Sequence, residues 1–273
     1  MLFSGLGENQ YEVQWNWAKL PDDISLKNIS AVSVDQQGRV FALLRSDPFM
    51  LVFSSDGELI DKWSDHTVVD GHYLTISEDN HAFVVDRDNH RIIEFTDKGE
   101  IIQIIGRENA PGDLGKPFNH PTDIAMNSNG EYFVSDGYGN ACVHHFDSAG
   151  QLIKSWGKLG SDQGEFSTPH AILVDKRGRV LVSDRENNRI QIFNQEGIYL
   201  EEINNLYFPT AIYEDNYGFI YVTDRVPSLS MFHPDGKLIG RCLSNGHGLT
   251  VDRDGNVYLS NKKTEKITKL VKI

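Results

Sequence analysis

Cysteine is almost missing from this 273-residue chain: Cys142 and Cys242 stand far apart and outside any CxxC spacing. That excludes a disulfide-built scaffold and a zinc ribbon, and each cysteine reads as a buried thiol in a reducing cytoplasm. Long hydrophobic runs are lacking too. No window approaches the roughly 20 apolar residues that span a bilayer. The first residues, Met1-Leu2-Phe3-Ser4-Gly5-Leu6-Gly7-Glu8, hold no basic segment followed by an apolar one, so no signal peptide is expected. Basic charge is short as well: 26 Lys and Arg against 39 Asp and Glu leave a formal net charge of -13. Nucleic acid and anionic membrane need cationic surface and are excluded as principal partners.

What is abundant is glycine, 24 residues, and it falls at regular turns. Thr168-Pro169-His170-Ala171-Ile172-Leu173-Val174-Asp175 opens a unit that continues through Arg177-Gly178, Val180–Ser183, Asp184-Arg-Glu-Asn-Asn-Arg189, Ile190–Phe193, Glu196-Gly197 and Ile198–Glu201. That is four short strands with tight glycine turns after the first and third and a longer polar loop after the second. The grammar returns at Val32–Trp63, Leu74–Ile105, Ile124–Trp156 and Ile212–Cys242, and a sixth unit starts at Leu249 but lacks its fourth strand. Tyr11–Trp17 alternates apolar and polar with period two and is predicted to supply that strand. The expectation is an all-β, six-bladed β-propeller over residues 1–273 as one domain, its last blade closed by the N-terminal strand.

Aligning the six units exposes a column: Ser30, His72, Thr122, His170, Thr210, His247. Histidine alternates with a small hydroxyl residue. Alternate blades lie about 120° apart around a six-fold axis, so three imidazoles can meet one cation and leave one position open, as in catalytic zinc sites. Imidazole also suits iron, copper and nickel; the competing account is channel histidines bonded to water or to each other. The other seven histidines show no register and read as surface or turn residues.

A second column, Asp86, Asp136, Asp184, Asp224 and Asn261, follows the second strands and reads as loop-bracing side chains. Blade one breaks it with Arg45. Blade three keeps the Asp but adds Gly137-Tyr138-Gly139. Rule-breaking positions in a repeat mark functional sites, so Arg45 and Tyr138 are the leading catalytic candidates. Arg87, Arg185 and Arg225 follow the Asp column at positions that could face the same opening, and each alone reads first as a structural residue.

The Asp-x-x-Asn-x-Arg-Ile units resemble NHL-repeat propellers. Phe133-Val-Ser-Asp-Gly-Tyr138-Gly-Asn140, Trp156-Gly157, Gly164-Glu-Phe166, Pro169-His170 and Asp184-Arg-Glu-Asn-x-Arg-Ile-Gln191 resemble the peptidyl-α-hydroxyglycine α-amidating lyases. The resemblance implies zinc held by His72, His170 and His247, a catalytic base at Tyr138, and substrate-binding arginines at Arg45 and Arg185. It further implies a calcium on the backbone carbonyls of Val32 and Leu74, completed by an acidic side chain that is here Gly248. The implied activity is a carbon–nitrogen lyase that cleaves a carbinolamide, N–CH(OH)–COO⁻, into an amide and glyoxylate, with a small-molecule or peptide-like substrate. The alternatives are a metal-dependent lactone or ester hydrolase on the same fold, and a non-catalytic NHL scaffold that binds protein.

Overall fold

The computed structural model describes residues 2–112, 118–226, 228–244 and 246–273. Its strands fall into six antiparallel sheets, five of four strands and one of five. The inner strands, one per blade in chain order, are Ile29–Val34, Gly71–Ile76, Asp123–Met126, Pro169–Val174, Pro209–Glu214 and Gly248–Val251. Each is followed by a second strand, Val40–Leu44, Ala82–Asp86, Tyr132–Asp136, Val180–Asp184, Ile220–Asp224 and Val257–Asn261. Successive inner strands pack side by side, and the first packs on the sixth, which closes the ring. The six-bladed propeller is therefore as the repeat predicts.

The inner turns owe their shape to the acidic or amide residue ending each apolar run. Asp35 Oδ1 accepts the amides of Gln37 and Arg39, and Asp175, Asp215 and Asp252 do the same for their own turns. These side chains satisfy donors that a tight turn would otherwise strand.

Second and third strands are buried along their whole length in most blades, as in Met50–Phe53 and Arg91–Phe95. They form the apolar seams between blades, where each fully buried aromatic contributes about 1.5–3 kcal/mol.

Closure follows the sequence with two differences. The N-terminal strand is Asn9–Gln14, not Tyr11–Trp17, and it pairs with Lys266–Lys272 through Tyr11↔Lys272 and Val13↔Leu270. Trp17 leaves the strand and wedges between Phe53 of the first blade and Tyr258 of the last, with ring centroids 5.8 and 5.2 Å away. A further strand, Phe3–Leu6, adds outside it. Gly5 and Gly7 interrupt its alternation, so periodicity gave no sign of it.

Candidate active site in the propeller channel

The chain enters each inner strand from a blade connection on one face. Asn28, His120, Thr168 and Phe208, each two residues before a column residue, have φ of 61°, 60°, 57° and 50°. Left-handed backbone is unusual for side chains of this size, and here it turns the chain down into the channel. His72, His170 and His247 then converge on the axis. Their ring centroids lie 5.0, 5.0 and 5.2 Å apart, nearly an equilateral triangle.

The alternation of the column has a structural reason. Each imidazole faces, through Nδ1, the carbonyl of the hydroxyl residue in the next blade: His72 to Thr122 O (2.6 Å), His170 to Thr210 O (2.8 Å) and His247 to Ser30 O (2.9 Å). A carbonyl only accepts, so Nδ1 carries the proton and Nε2 presents a lone pair to the axis. The hydroxyls brace the same backbone: Ser30 Oγ donates to His72 O and Thr122 Oγ1 to Pro169 O, both at 2.7 Å.

Tyr138 caps the triangle. Its hydroxyl is 3.2 Å from His72 Nε2 and 3.1 Å from His170 Nε2, and Arg185 Nη1 donates to it at 3.2 Å. Two guanidiniums flank the ring, those of Arg185 and Arg87 at 5.3 and 5.4 Å from its centroid. Gly137 makes the reach possible. A Cβ there would stand 2.1 Å from Pro169 O, so only glycine lets the backbone press against the next blade and deliver Tyr138 over the axis.

Arg45 and Arg185 open with Tyr138 and His247 onto one cavity of about 590 Å³, shared with Arg87, Arg225 and Lys262. The sequence candidates Tyr138, Arg45 and Arg185 thus meet above the three histidines. Arg45 Nε donates to Ser30 Oγ at 3.2 Å and pairs with Asp70 at 3.4 Å. Arg87 holds the same carboxylate at 2.7 Å. Burial lowers the Arg45 pKa although Asp70 opposes that shift.

The loop position is fixed by one repeated bond. The amides of Arg45, Arg87, Tyr138, Arg185 and Arg225 donate to the carbonyls of Asn28, Asp70, His120, Thr168 and Phe208, at 3.1, 3.0, 3.4, 3.2 and 3.3 Å. Each acceptor lies two residues before that blade's channel residue. The Asp column braces the same loops as expected: Asp86 accepts the amides of Val69 and Asp70 and the guanidinium of Arg91, and Asp184 does the same for Ser167 and Arg189.

Electrostatics suit a metal. Burial pushes His72 and His170 well below the ordinary imidazole range, helped at His72 by the neighbouring imidazoles and at His170 by Arg185. Burial and Arg45 push His247 down to about 3. Three neutral imidazoles with ligand nitrogens within 4.8 Å of one another, each oriented by a carbonyl, are the donor set that zinc and its borderline neighbours take. Calcium is a different matter. Val32 and Leu74 are buried, but a Cβ at Gly248 would lie 2.7 Å from Ala31 Cα and 2.8 Å from Val32 N. Backbone fills the space a carboxylate would need. Calcium takes roughly six to eight oxygens, and two carbonyls without that carboxylate do not fit it.

Two histidines read as surface residues are not. His144 is fully buried and His145 nearly so. His144 Nε2 lies 3.1 Å from Asp136 and 3.5 Å from Cys142 Sγ, and its Nδ1 meets Ser155 Oγ at 2.7 Å. It stands where Gln191 reaches Asp184 in blade four, and Cys142 stands where Arg189 does, so the blade-three loop is braced by imidazole instead of guanidinium.

Six four-stranded units around a lined channel define a β-propeller, and a family model described as the NHL repeat matches residues 118–146 and 166–193. The chain is a six-bladed propeller that carries NHL repeats at those residues. It is similar in sequence to proteins of the amidating-lyase group. It is 30% identical over 190 residues to the peptidyl-glycine alpha-amidating monooxygenase of Mus musculus, a match spanning 61% of this chain and 19% of that protein. It is 28% identical over 207 residues to the peptidyl-alpha-hydroxyglycine alpha-amidating lyase 1 of Drosophila melanogaster, covering 61% and 37%. The chain therefore matches about a fifth of the first protein's length and well under half of the second's. Among solved structures, a gluconolactonase of Xanthomonas campestris superposes with a TM-score of 0.74 at 14% identity, over 98% of this chain and 91% of that one. That likeness concerns the fold.

Proposed function

We propose that the protein is a metal-dependent carbon–nitrogen lyase that cleaves an N-acyl- or peptidyl-α-hydroxyglycine-type carbinolamide to an amide and glyoxylate. The observation that carries this reading is the Tyr138 hydroxyl poised against two imidazole Nε2 atoms and the Arg185 guanidinium. His72, His170 and His247 would hold zinc, which would supply a Lewis acid at the substrate oxygen. Tyr138, acting as the tyrosinate beside the Arg185 guanidinium, takes the hydroxyl proton as the carbon–oxygen bond becomes a carbonyl. The carbon–nitrogen bond breaks, and the proton passes to the departing nitrogen, giving a neutral amide. Arg185 holds the Tyr138 oxygen in place, and Arg45, half-sunk in the wall, pairs with the glycine carboxylate in fork geometry.

A lactone hydrolase built on calcium would need carboxylate and amide ligands on the axis, whereas the side chains converging there are imidazoles. Similarity to amidating lyases favours the lyase. Cys142 and Cys242 are unpaired thiols, which supports a cytoplasmic location. The test is glyoxylate release from an N-acyl-α-hydroxyglycine by protein reconstituted with one equivalent of zinc. Turnover abolished by a chelator and restored by metal is expected. Silence from fully metallated protein overturns the reaction.

A further inference from the structure

The position that follows the second strand is cationic in five blades, Arg45, Arg87, Arg185, Arg225 and Lys262; in the remaining blade it is Gly137, and Tyr138 comes one residue later. The five cations and Tyr138 line the one cavity. In a chain with a formal net charge of -13, this excess of cationic side chains at a cavity whose lining includes one carboxylate, Asp224, runs against the composition. Internal carboxylates answer only part of it. Asp70 pairs with Arg45 and Arg87, Asp88 with Arg87, and Glu186 with Arg185. Among the described residues no carboxylate pairs with Arg225 or Lys262; the Arg225 guanidinium lies over the Phe208 ring, 5.7 Å from its centroid.

Like charges held together without counter-charge cost free energy unless an anion completes them. One substrate carboxylate is answered by Arg45. In a six-fold ring, blade six faces blade three and blade five stands beside blade six, so Lys262 lies on the blade across the mouth from that of Tyr138, with Arg225 on the blade next to it. A cavity of about 590 Å³ is of the size that takes a drug-sized ligand. We infer that the substrate carries a second oxyanion group, carboxylate or phosphate, on its acyl side, and that Arg225 and Lys262 bind it. This inference rests on the lyase reading of the site, since it places the reacting end beside Tyr138.

The test is calorimetric titration of the zinc-loaded protein with inert ligands that lack the reacting hydroxyl. The probes are N-benzoylglycine, N-(4-carboxybenzoyl)glycine and N-(4-phosphonooxybenzoyl)glycine. Either two-anion ligand is expected to bind about tenfold tighter or more than the one-anion ligand, as a charged hydrogen bond warrants. The better of the two identifies the group. The advantage should shrink to within about twofold in the Arg225→Gln/Lys262→Gln double variant and be intermediate in each single variant. It should persist in Lys237→Gln, on a turn of the opposite face, which controls for net charge. Equal binding of all three ligands, or an advantage that survives the double variant, overturns the inference. Glyoxylate release from the hydroxylated counterparts is scored separately: its absence with the advantage intact removes the reaction and leaves the anion site.

Discussion

Nδ1 of His247 lies 2.9 Å from the carbonyl oxygen of Ser30, 217 residues earlier in the chain. The last blade's channel imidazole is therefore aimed by the first blade, and the three-histidine cluster is complete only when the ring is closed.

Trp17 holds that seam and lies outside the channel. Replacing it with alanine removes a buried indole from between Phe53 and Tyr258 and is expected to cost about 3–5 kcal/mol. Urea denaturation measures the loss. Metal competition should show weaker zinc binding in the same variant, because His247 loses its fixed acceptor.

Tyr138→Phe keeps the three imidazoles and removes the oxygen that stands over them. Zinc content should remain at one per chain while kcat for glyoxylate release falls by about 10²–10⁴-fold, the range for a lost acid–base group. A variant that still turns over within a few-fold of the parent would show the phenol to be a lid and nothing more.

Gly137→Ala tests the backbone instead of the phenol. The added Cβ would meet Pro169 O at 2.1 Å, so the loop must shift and carry Tyr138 off the axis. The expected result is a kcat close to that of Tyr138→Phe with zinc stoichiometry retained, from a protein that still possesses the tyrosine.

Metal-free protein should become less stable in mild acid. His247 is held neutral in the fold down to about 3, whereas an unfolded imidazole titrates near 6.5. As pH falls below about 6.5 the unfolded state takes up a proton that the folded state refuses, so stability drops with pH. Against a His247→Gln variant, which lacks this proton, the parent should lose about 2 kcal/mol between pH 6.5 and 5. Chemical denaturation of both proteins after chelation gives the difference.

Much of this arrangement was legible because it is carried by side chains that repeat. The blade count, the histidine register and the rule-breaking Arg45 and Tyr138 could all be read from spacing. What fixes the imidazoles could not, since Thr122, Thr210 and Ser30 act through main-chain carbonyls, which every residue has. Lys262 went unnoticed because Asn261 replaces the aspartate before it and the motif no longer announces the position. His144 looked like a surface residue for a related reason. It braces a loop that in blade four is held by an arginine, where blade three has Cys142, a pairing visible only when blade three is laid on blade four. Gly248 marks another limit: its identity removes a calcium ligand, but only the packing of Ala31 and Val32 shows that no side chain could return there.

The bond from Arg45, Arg87, Tyr138, Arg185 and Arg225 to the connection above the channel residue ties the two levels of those blades together. The channel has threefold chemistry and the mouth sixfold. Arg45 and Arg225 belong to blades that contribute no ligand, whereas Arg87, Arg185 and Lys262 ride on blades that do. Arg45 is bonded to Ser30, whose carbonyl aims His247, whereas a substitution at Arg225 would reshape the mouth and leave the three imidazoles and their carbonyl partners in place.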